Sequence, residues 1–238
     1  MRNTRPIIRG SLAFYVAVVG FVFWISTATA FAQSDIDSPF GLSTVAAPED
    51  SLAVTWEKLL REVNKDLSIV ARCRAEAASC ASREASKFVQ LVKEGEQPEP
   101  VAQIGHINRA ANLAIRLLDA AHADSEWRPP LGVLARSAGD CKHYAVLKYA
   151  VLREAGFAPD ALKIVVVEVR STHQQHAVVA IRTKERQWLI LDDHTSTLVE
   201  SSMALDRYEP LYQLDQGGIQ QFARSSRPVQ IVESTKVR

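Results

Sequence analysis

The chain has 238 residues, of which 47% are hydrophobic and 23% are charged, and its 28 basic and 27 acidic side chains leave a formal net charge of +1. This near-neutral balance gives no reason to expect nucleic acid as a partner, because binding to phosphate backbones needs an excess of basic residues. The length and apolar content are ample for the core of one large domain or two small ones.

The first 32 residues have the organisation of an export signal. Three arginines precede an apolar stretch from Leu12 to Ile25, and the small-x-small sequence at 30–32 provides a cleavage site before Gln33. We therefore predict a signal peptide over residues 1–32 and contact with a membrane only if this segment stays uncleaved. A retained anchor is the alternative, because the apolar stretch is short for a membrane span without being impossibly short.

The N-terminal half of the mature chain is predicted to be helical. Residues 33–48 contain scattered Ser, Gly, Pro and Asp and are predicted to form a flexible arm. Apolar residues then recur at helical spacing over three stretches, Asp50 to about Cys73, Ser82 to Lys93, and Val101 to His122. The stretch from Asp124 to Ser137 is rich in Pro and Gly and is predicted to be a connecting loop.

The three cysteines are predicted to separate into one disulfide and one free thiol. Cys73 and Cys80 would lie about 10 Å apart in an unbroken helix, which is too far for a bridge, so a disulfide requires a turn between them. Export favours the bridge over two unpaired cysteines. Cys141 is then left unpaired, and an odd cysteine in an oxidising compartment suggests a chemical role.

A helix predicted after Gly139 presents Cys141 in its first turn. Lys142 to Ala155 is a strong helical pattern that Gly156 ends, and Asp140 is a favourable N-cap. The unpaired N–H groups and the positive end of the helix dipole favour a thiolate at this position. Cys141 is therefore a candidate nucleophile, although the local sequence is equally compatible with a small buried core residue.

After this helix the pattern changes to that of strands. Leu162–Val169 is β-branched and too apolar for an edge, so it is predicted to be an inner strand. His176–Arg182 and Gln187–Asp192 are predicted to form a hairpin, and Tyr208–Tyr212 is a further candidate strand. Residues 225–238 are predicted to be a flexible tail.

The hairpin suggests a catalytic pair. If its turn centres on Lys184, His176 lies directly opposite Asp192, and both side chains emerge on one face of the sheet. A carboxylate in that position orients the imidazole and stabilises its charged form. A shift of one residue would oppose His176 to Asp193 instead, so the geometry alone leaves the acid ambiguous. If His176 and Asp192 are paired, alternation places Asp193 on the opposite face.

Three segments of the chain resemble the bacterial transglutaminase-like cysteine proteinases. They are GDCKHYAVLKYAVLREAG from Gly139, HAVVAI from His176 and WLILDD from Trp188, and the resemblance extends from about Trp56 to Leu214. It implies an α+β fold with a papain-like or transglutaminase-like core, in which N-terminal helices and a catalytic helix pack on an antiparallel sheet. Residues 33–238 would form this single domain.

The resemblance also implies an activity. It places the nucleophile on Cys141, the base on His176 and the orienting acid on Asp192, because the family usually shows Asp-Asn where this chain has Asp192-Asp193. The expected activity is that of a periplasmic cysteine peptidase that cleaves a peptide bond through a thioester.

The resemblance suggests partners as well. Because one member of the family releases biofilm adhesins from the outer membrane, we expect a protein substrate, with a surface adhesin or another envelope protein as candidates. An inner-membrane regulatory receptor is a further candidate partner. A transglutaminase or amidase with the same triad, and a non-catalytic binding module of the same fold, are the alternatives.

The calcium site associated with the family is expected to be absent. Family members carry acidic residues directly after the cysteine, whereas here only Asp140 remains and Lys142 and His143 replace the others. Calcium requires several oxygen ligands, and a lysine adds a competing cation. We also find no grouping of Cys and His with zinc-site spacing. The sequence therefore predicts no cofactor and no metal.

Overall fold

The computed structural model describes residues 38–80, 82–118 and 126–223. The predicted signal peptide over 1–32 and the predicted tail over 225–238 lie outside these residues, as do residues 33–37. The described residues all belong to one compact unit. No helix within the described ranges is both long and apolar enough to cross a membrane.

Helices dominate the first half of the described chain and strands the second half, as predicted. The helices are α1 (Ser51–Ala75), α2 (Arg83–Glu94), α3 (Pro100–Ala114), α4 (Pro130–Arg136), α5 (Cys141–Glu154) and α6 (Ser201–Ala204). The strands are β1 (Thr44–Ala46), β2 (Arg116–Leu117), β3 (Ala138–Gly139), β4 (Leu162–Val169), β5 (Gln174–Arg182), β6 (Trp188–Leu191), β7 (Val199–Glu200), β8 (Tyr208–Asp215) and β9 (Gly218–Phe222).

Seven strands form one antiparallel sheet in the order β1-β9-β8-β4-β5-β6-β7. The two short strands β2 and β3 pair separately and in parallel. The predicted inner strand Leu162–Val169 is confirmed residue for residue as β4, which lies between β5 and β8. Helices packed on an antiparallel sheet confirm the predicted α+β fold class.

The sheet is apolar on both faces, because alternate residues of its inner strands enter two different cores. Ile164 and Val166 of β4 belong to a large apolar cluster that contains residues of α1 to α5. Val165 and Val167 belong to a smaller cluster on the opposite face. Within α5, every residue from His143 to Leu152 is buried. The catalytic helix predicted from the sequence is therefore the central helix of the fold.

Helix α3 is shorter than predicted. It ends at Ala114, not at His122, because the chain becomes extended at Ile115 and then pairs as β2 with β3. The hydroxyl of Tyr144 donates to the carbonyl of Ile115 at 2.8 Å, which fixes this exit from the helix. Helical periodicity cannot reveal such a boundary, since the pairing partner lies more than twenty residues further along the chain.

Two segments predicted to lack regular structure contain some. The predicted connecting loop holds α4, which begins with Pro130 at its first turn, a favourable position for proline. The predicted flexible arm contains buried Phe40 and strand β1, which pairs with β9, so this prediction is wrong for residues 38–46. A three-residue strand whose partner lies at the other end of the chain leaves no local signal.

The predicted disulfide is confirmed. Cys73 lies in the last turn of α1, the chain turns through a short 3-10 helix at Ala77–Ser79, and Cys80 returns to within a Cα–Cα distance of 4.6 Å. Cys141 is free and partly exposed. The bridge closes the corner between α1 and α2, which belong to the same apolar core.

Removing this bridge should reduce stability moderately. Closing a loop this short restricts the unfolded chain by about 2–3 kcal/mol, so the double variant Cys73→Ser/Cys80→Ser should lose about that much free energy of unfolding. Urea denaturation followed by circular dichroism measures the loss, with Ser86→Ala as a control near the bridge that keeps the disulfide. Equal stabilities of the double variant and the wild type would show that the bridge does not stabilise the domain.

Candidate active site

The first turn of α5 positions Cys141. Asp140 is the N-cap in extended conformation, and its carbonyl accepts from the backbone N–H of His143 at 2.9 Å. Cys141 is thus the first residue of the helix, where unpaired N–H groups and the helix dipole favour negative charge.

The Asp140 carboxylate has a different role from simple capping. Lys142 Nζ donates to its Oδ2 at 2.5 Å, and His143 Nδ1 lies 2.8 Å from its Oδ1. Burial opposes ionisation of Asp140, but the hydrogen bonds from His143 and Lys142 outweigh burial and lower its pKa to about 2. A Cβ at Gly139 would lie 2.5 Å from His143 Cβ, so glycine is required for this packing. The sequence analysis did not predict that Lys142 and His143 are part of the structure around Cys141.

His176 lies between an acid and the cysteine. Its Nε2 is 3.0 Å from Asp192 Oδ1, and the imidazole also hydrogen-bonds to Cys141. Because Nε2 is paired with Asp192, Nδ1 is the nitrogen available to the thiol. Burial disfavours the imidazolium, but the hydrogen bonds to Asp192 and Cys141 outweigh burial and raise the pKa of His176 to about 10. The structure therefore brings the three predicted site residues together.

Asp192 is held at both carboxylate oxygens. Its Oδ1 accepts from the backbone N–H of His194 at 3.1 Å, in addition to facing His176. Its Oδ2 accepts from the hydroxyl of Tyr208 and lies 3.8 Å from Arg207 Nη1. Burial opposes ionisation of Asp192, but the side-chain hydrogen bonds with His176, Asp193 and Tyr208 outweigh burial and hold its pKa well below the ordinary value. Asp192 is thus fixed in position as an anion.

Helix α3 supports the loop that carries Asp192. Asn112 Nδ2 donates to the carbonyl of Asp192 at 3.0 Å and to that of Thr195 at 3.2 Å, and Asn108 Nδ2 donates to Thr195 at 3.1 Å. Asn108 is fully buried. The sequence analysis missed both asparagines and also Tyr208. The signal that could have found the asparagines is their spacing of four residues beside the apolar stripe of a helix. A buried amide there is costly unless it has a hydrogen-bond partner.

The predicted hairpin register is wrong by two residues. Thr183 pairs with Gln187, and Arg186 adopts a left-handed conformation at φ 64°, which makes a three-residue loop centred on Glu185. A shift of two keeps every side chain on its predicted face, and β6 ends at Leu191. Asp192 therefore reaches His176 from the loop after the strand, diagonally and not from the directly opposed position.

The prediction that Asp193 lies on the opposite face of the sheet from His176 is also wrong. Its Oδ1 lies 3.4 Å from His176 Nε2, because strict alternation ends together with β6. Burial and the neighbouring Asp192 raise the pKa of Asp193. The ring of His194 stacks on that of His176 with centroids 5.3 Å apart. Asp192 is the closer acid, but Asp193 and His194 both belong to the site.

A buried lysine lies near this acidic pair. Lys148 follows Cys141 by about two turns of α5, is 1% exposed, and places Nζ 5.9 Å from the centroid of the Tyr144 ring. Burial lowers the pKa of Lys148 to about 7, while Asp193 and Asp192 oppose that decrease. Nothing in the helical pattern distinguishes this lysine from one on a solvated face, so the sequence analysis missed it.

The comparisons with known proteins identify the family and the fold. The family model described as bacterial transglutaminase-like cysteine proteinase matches residues 60–210, more than half of the chain. Three structures of LapG from Legionella pneumophila are similar in fold at 22% sequence identity, and these include a calcium-bound and an EGTA-treated form. For the first the TM-score is 0.54, covering 68% of this chain and 89% of LapG, and for the calcium-bound form it is 0.53, covering 71% and 91%. No curated protein matches the sequence significantly.

Replacing Tyr208 tests whether the support of Asp192 matters for activity. Tyr208→Phe keeps the packing of the ring but removes the donor to Asp192 Oδ2, so kcat/KM should fall by roughly tenfold with little change in KM. Tyr212→Phe is the matched control, because Tyr212 is equally buried on the same strand. Steady-state kinetics on one peptide substrate compare the two, and an equal loss in both variants would exclude a role of the Asp192 contact.

Proposed function

The chain belongs to the bacterial transglutaminase-like cysteine proteinases, and on this premise we propose that it is a cysteine peptidase that hydrolyses a peptide bond through a thioester on Cys141. One observation carries the proposal. The buried imidazole of His176 lies 3.0 Å from Asp192 through Nε2 and interacts with the free Cys141 side chain, and both neighbours raise its pKa. A free cysteine, a base and an orienting acid in this order are the requirements of thiol-based acyl transfer.

The residues support a two-stage reaction. The Cys141 sulfur attacks the carbonyl carbon of the substrate amide, and His176 donates a proton to the leaving nitrogen, so the C–N bond breaks and a thioester remains. Water then attacks the thioester carbon, and His176 accepts a proton from that water. The C–S bond breaks, the carboxylic acid product leaves, and the Cys141 thiolate and the His176 imidazolium are regenerated. Backbone N–H groups at the start of α5, including that of Cys141, are the candidate donors to the oxyanion.

Asp192 acts on the reaction through His176. Its carboxylate fixes the ring so that Nδ1 faces the sulfur, and its charge stabilises the imidazolium that forms during proton transfer. The contacts from Tyr208, the His194 backbone and Asn112 hold Asp192 on three sides. An intact and rigidly held pair of this kind favours catalysis over a non-catalytic binding module.

The acceptor of the acyl group separates the alternatives. A transglutaminase would form the same thioester but would transfer the acyl group to a primary amine. An amidase would form it from a side-chain amide. Membership of a proteinase family favours a backbone amide as substrate and water as acceptor. We further propose that the protein is exported through residues 1–32 and acts in the periplasm on an envelope protein. A surface adhesin is the specific candidate substrate and an inner-membrane receptor the candidate regulator.

The residues around Cys141 do not fit a calcium ion. Lys142 and His143 contact the two oxygens of Asp140, so both oxygens already face nitrogen donors. The Lys142 ammonium occupies the position next to Oδ2 in which a cation would bind, and it repels a second positive charge. No step of the proposed reaction therefore depends on calcium, although the similar LapG structures include a calcium-bound form.

Variants of the acid and the nucleophile test the proposed hydrolysis. Peptides derived from a proteome digest are incubated with the protein, and new termini are identified by mass spectrometry. Cys141→Ala should produce none. On the best peptide, Asp192→Asn should lower kcat/KM by ~10²-fold or more, because it removes the charge that stabilises the imidazolium, and Asp193→Asn should cost far less.

The same reaction with a fluorescent primary amine added distinguishes hydrolysis from transfer. Hydrolysis predicts cleaved peptides and no labelled glutamine. Labelled products without cleavage would support the transglutaminase alternative, and full activity of Cys141→Ala would exclude both.

Chelation tests the independence from calcium. EGTA should leave both the peptidase rate and the thermal unfolding midpoint unchanged, because Lys142 already neutralises Asp140. Lys142→Glu, which restores an acidic residue at this position, is the comparison variant and should gain calcium affinity. Loss of wild-type activity in EGTA and its recovery on addition of calcium would show that the ion is required.

A further inference from the structure

Four side chains of the kind that bind transition metals meet beside the candidate triad. His176, Asp192, Asp193 and His194 each offer one ligand atom, and these four atoms all lie within 4.8 Å of one another. They come from β5 and from the loop after β6, so no short spacing of Cys and His in the sequence announces the group. The sequence pattern therefore predicted no metal, whereas the structure brings four candidate ligands together.

Asp193 is the residue that points to a ligand. Its side chain is only 2% exposed, and its Oδ1 accepts no hydrogen bond from any residue that the structure describes. This oxygen lies 3.4 Å from His176 Nε2 and 3.9 Å from His194 Nε2. A buried carboxylate oxygen without a donor is unfavourable, and a cation held between it and two imidazole nitrogens would satisfy it.

We propose that His176, Asp193 and His194, with Asp192 as fourth ligand, form an inhibitory site for a divalent transition metal ion of the Zn²⁺ class. Two imidazoles and two carboxylates suit zinc and its neighbours, whereas calcium prefers oxygen alone. Tetrahedral zinc places its ligand atoms about 3.4 Å apart, so ligand atoms that lie up to 4.8 Å apart here approach each other by up to about 1.4 Å on binding. The His194 side chain is 52% exposed and gives the ion a path from solvent.

Inhibition follows from which nitrogen the ion uses. Binding at His176 Nε2 releases the proton that this nitrogen carries and replaces its hydrogen bond to Asp192. His176 Nε2 then faces a cation in place of the Asp192 carboxylate. A neighbouring positive charge disfavours the imidazolium that proton transfer requires. The inhibitory consequence depends on the proposed peptidase function, whereas binding of the ion does not.

The site differs from direct capture of zinc by the catalytic thiol. Cys141 is not among the four clustered ligand residues, so its removal leaves the site intact. A thiol-based site would instead need Cys141 and would be indifferent to Asp193 and His194. The experiment therefore compares removal of Cys141 with removal of Asp193 or His194.

The test uses the mature protein with Cys141→Ala. Zn²⁺ binding is measured by calorimetry in this variant. The Co²⁺ absorbance spectrum is measured in the wild type, which keeps the free thiol of Cys141, because a thiolate ligand would give a charge-transfer band. The proposal predicts one ion per chain and no such band. His194→Ala and Asp193→Asn, each added to Cys141→Ala, should weaken Zn²⁺ binding by ~10-fold or more. His106→Ala, an exposed histidine on α3, should not.

Inhibition is then measured in chains that keep Cys141, each relative to its own zinc-free rate. The zinc concentration for half inhibition should rise by ~10-fold or more in His194→Ala and stay constant in His106→Ala. Loss of Zn²⁺ binding in Cys141→Ala, or equal binding in the His194 and His106 variants, would overturn the proposal. If Asp193→Asn does not fold, the result for His194→Ala alone tests the proposal, because the His194 side chain is half exposed.

Discussion

The buried hydrogen bond between His176 and Asp192 is the interaction on which the candidate site depends. This hydrogen bond alone does not position the pair, because Asp192 lies in a loop just after β6. That loop is fixed by Tyr208 from β8 and by Asn112 from α3, so the pair forms only when sheet and helices have assembled. The apolar cores on the two sides of the sheet make this assembly rigid and so keep the catalytic pair in position.

The second constraint is the charge around the first turn of α5. Asp140 is mostly buried, and Lys142 and His143 contact its two oxygens, so a negative charge next to the nucleophile is neutralised by the chain itself. The same substitution that removes the acidic residues expected after the cysteine supplies this neutralising partner. On the other side of His176, Asp193 Oδ1 accepts no hydrogen bond from a described residue and faces imidazole nitrogens at 3.4 and 3.9 Å, which is why a cation site is proposed there and not at Asp140.

The sequence predicted the elements well and their exact pairing less well. The fold class, β4 and the disulfide were predictable because apolar periodicity and cysteine spacing are local signals. The hairpin turn was not, since Arg186 adopts a left-handed conformation that its residue type does not announce. Tyr208, Asn112 and Lys148 were missed for a related reason. Each acts across a large sequence separation, and each belongs to a residue type that ordinarily lies at the surface or in a core without a role in chemistry.

The most direct test of the account is to observe the acyl group on Cys141. A peptide ester acylates a thiol faster than an amide does, so the thioester should accumulate during turnover and survive an acid quench. Intact-protein mass spectrometry should then show the acyl mass on wild type, peptide mapping should locate it on Cys141, and hydroxylamine should remove it. Turnover of the ester without any adduct, or an adduct on another residue, would contradict the account.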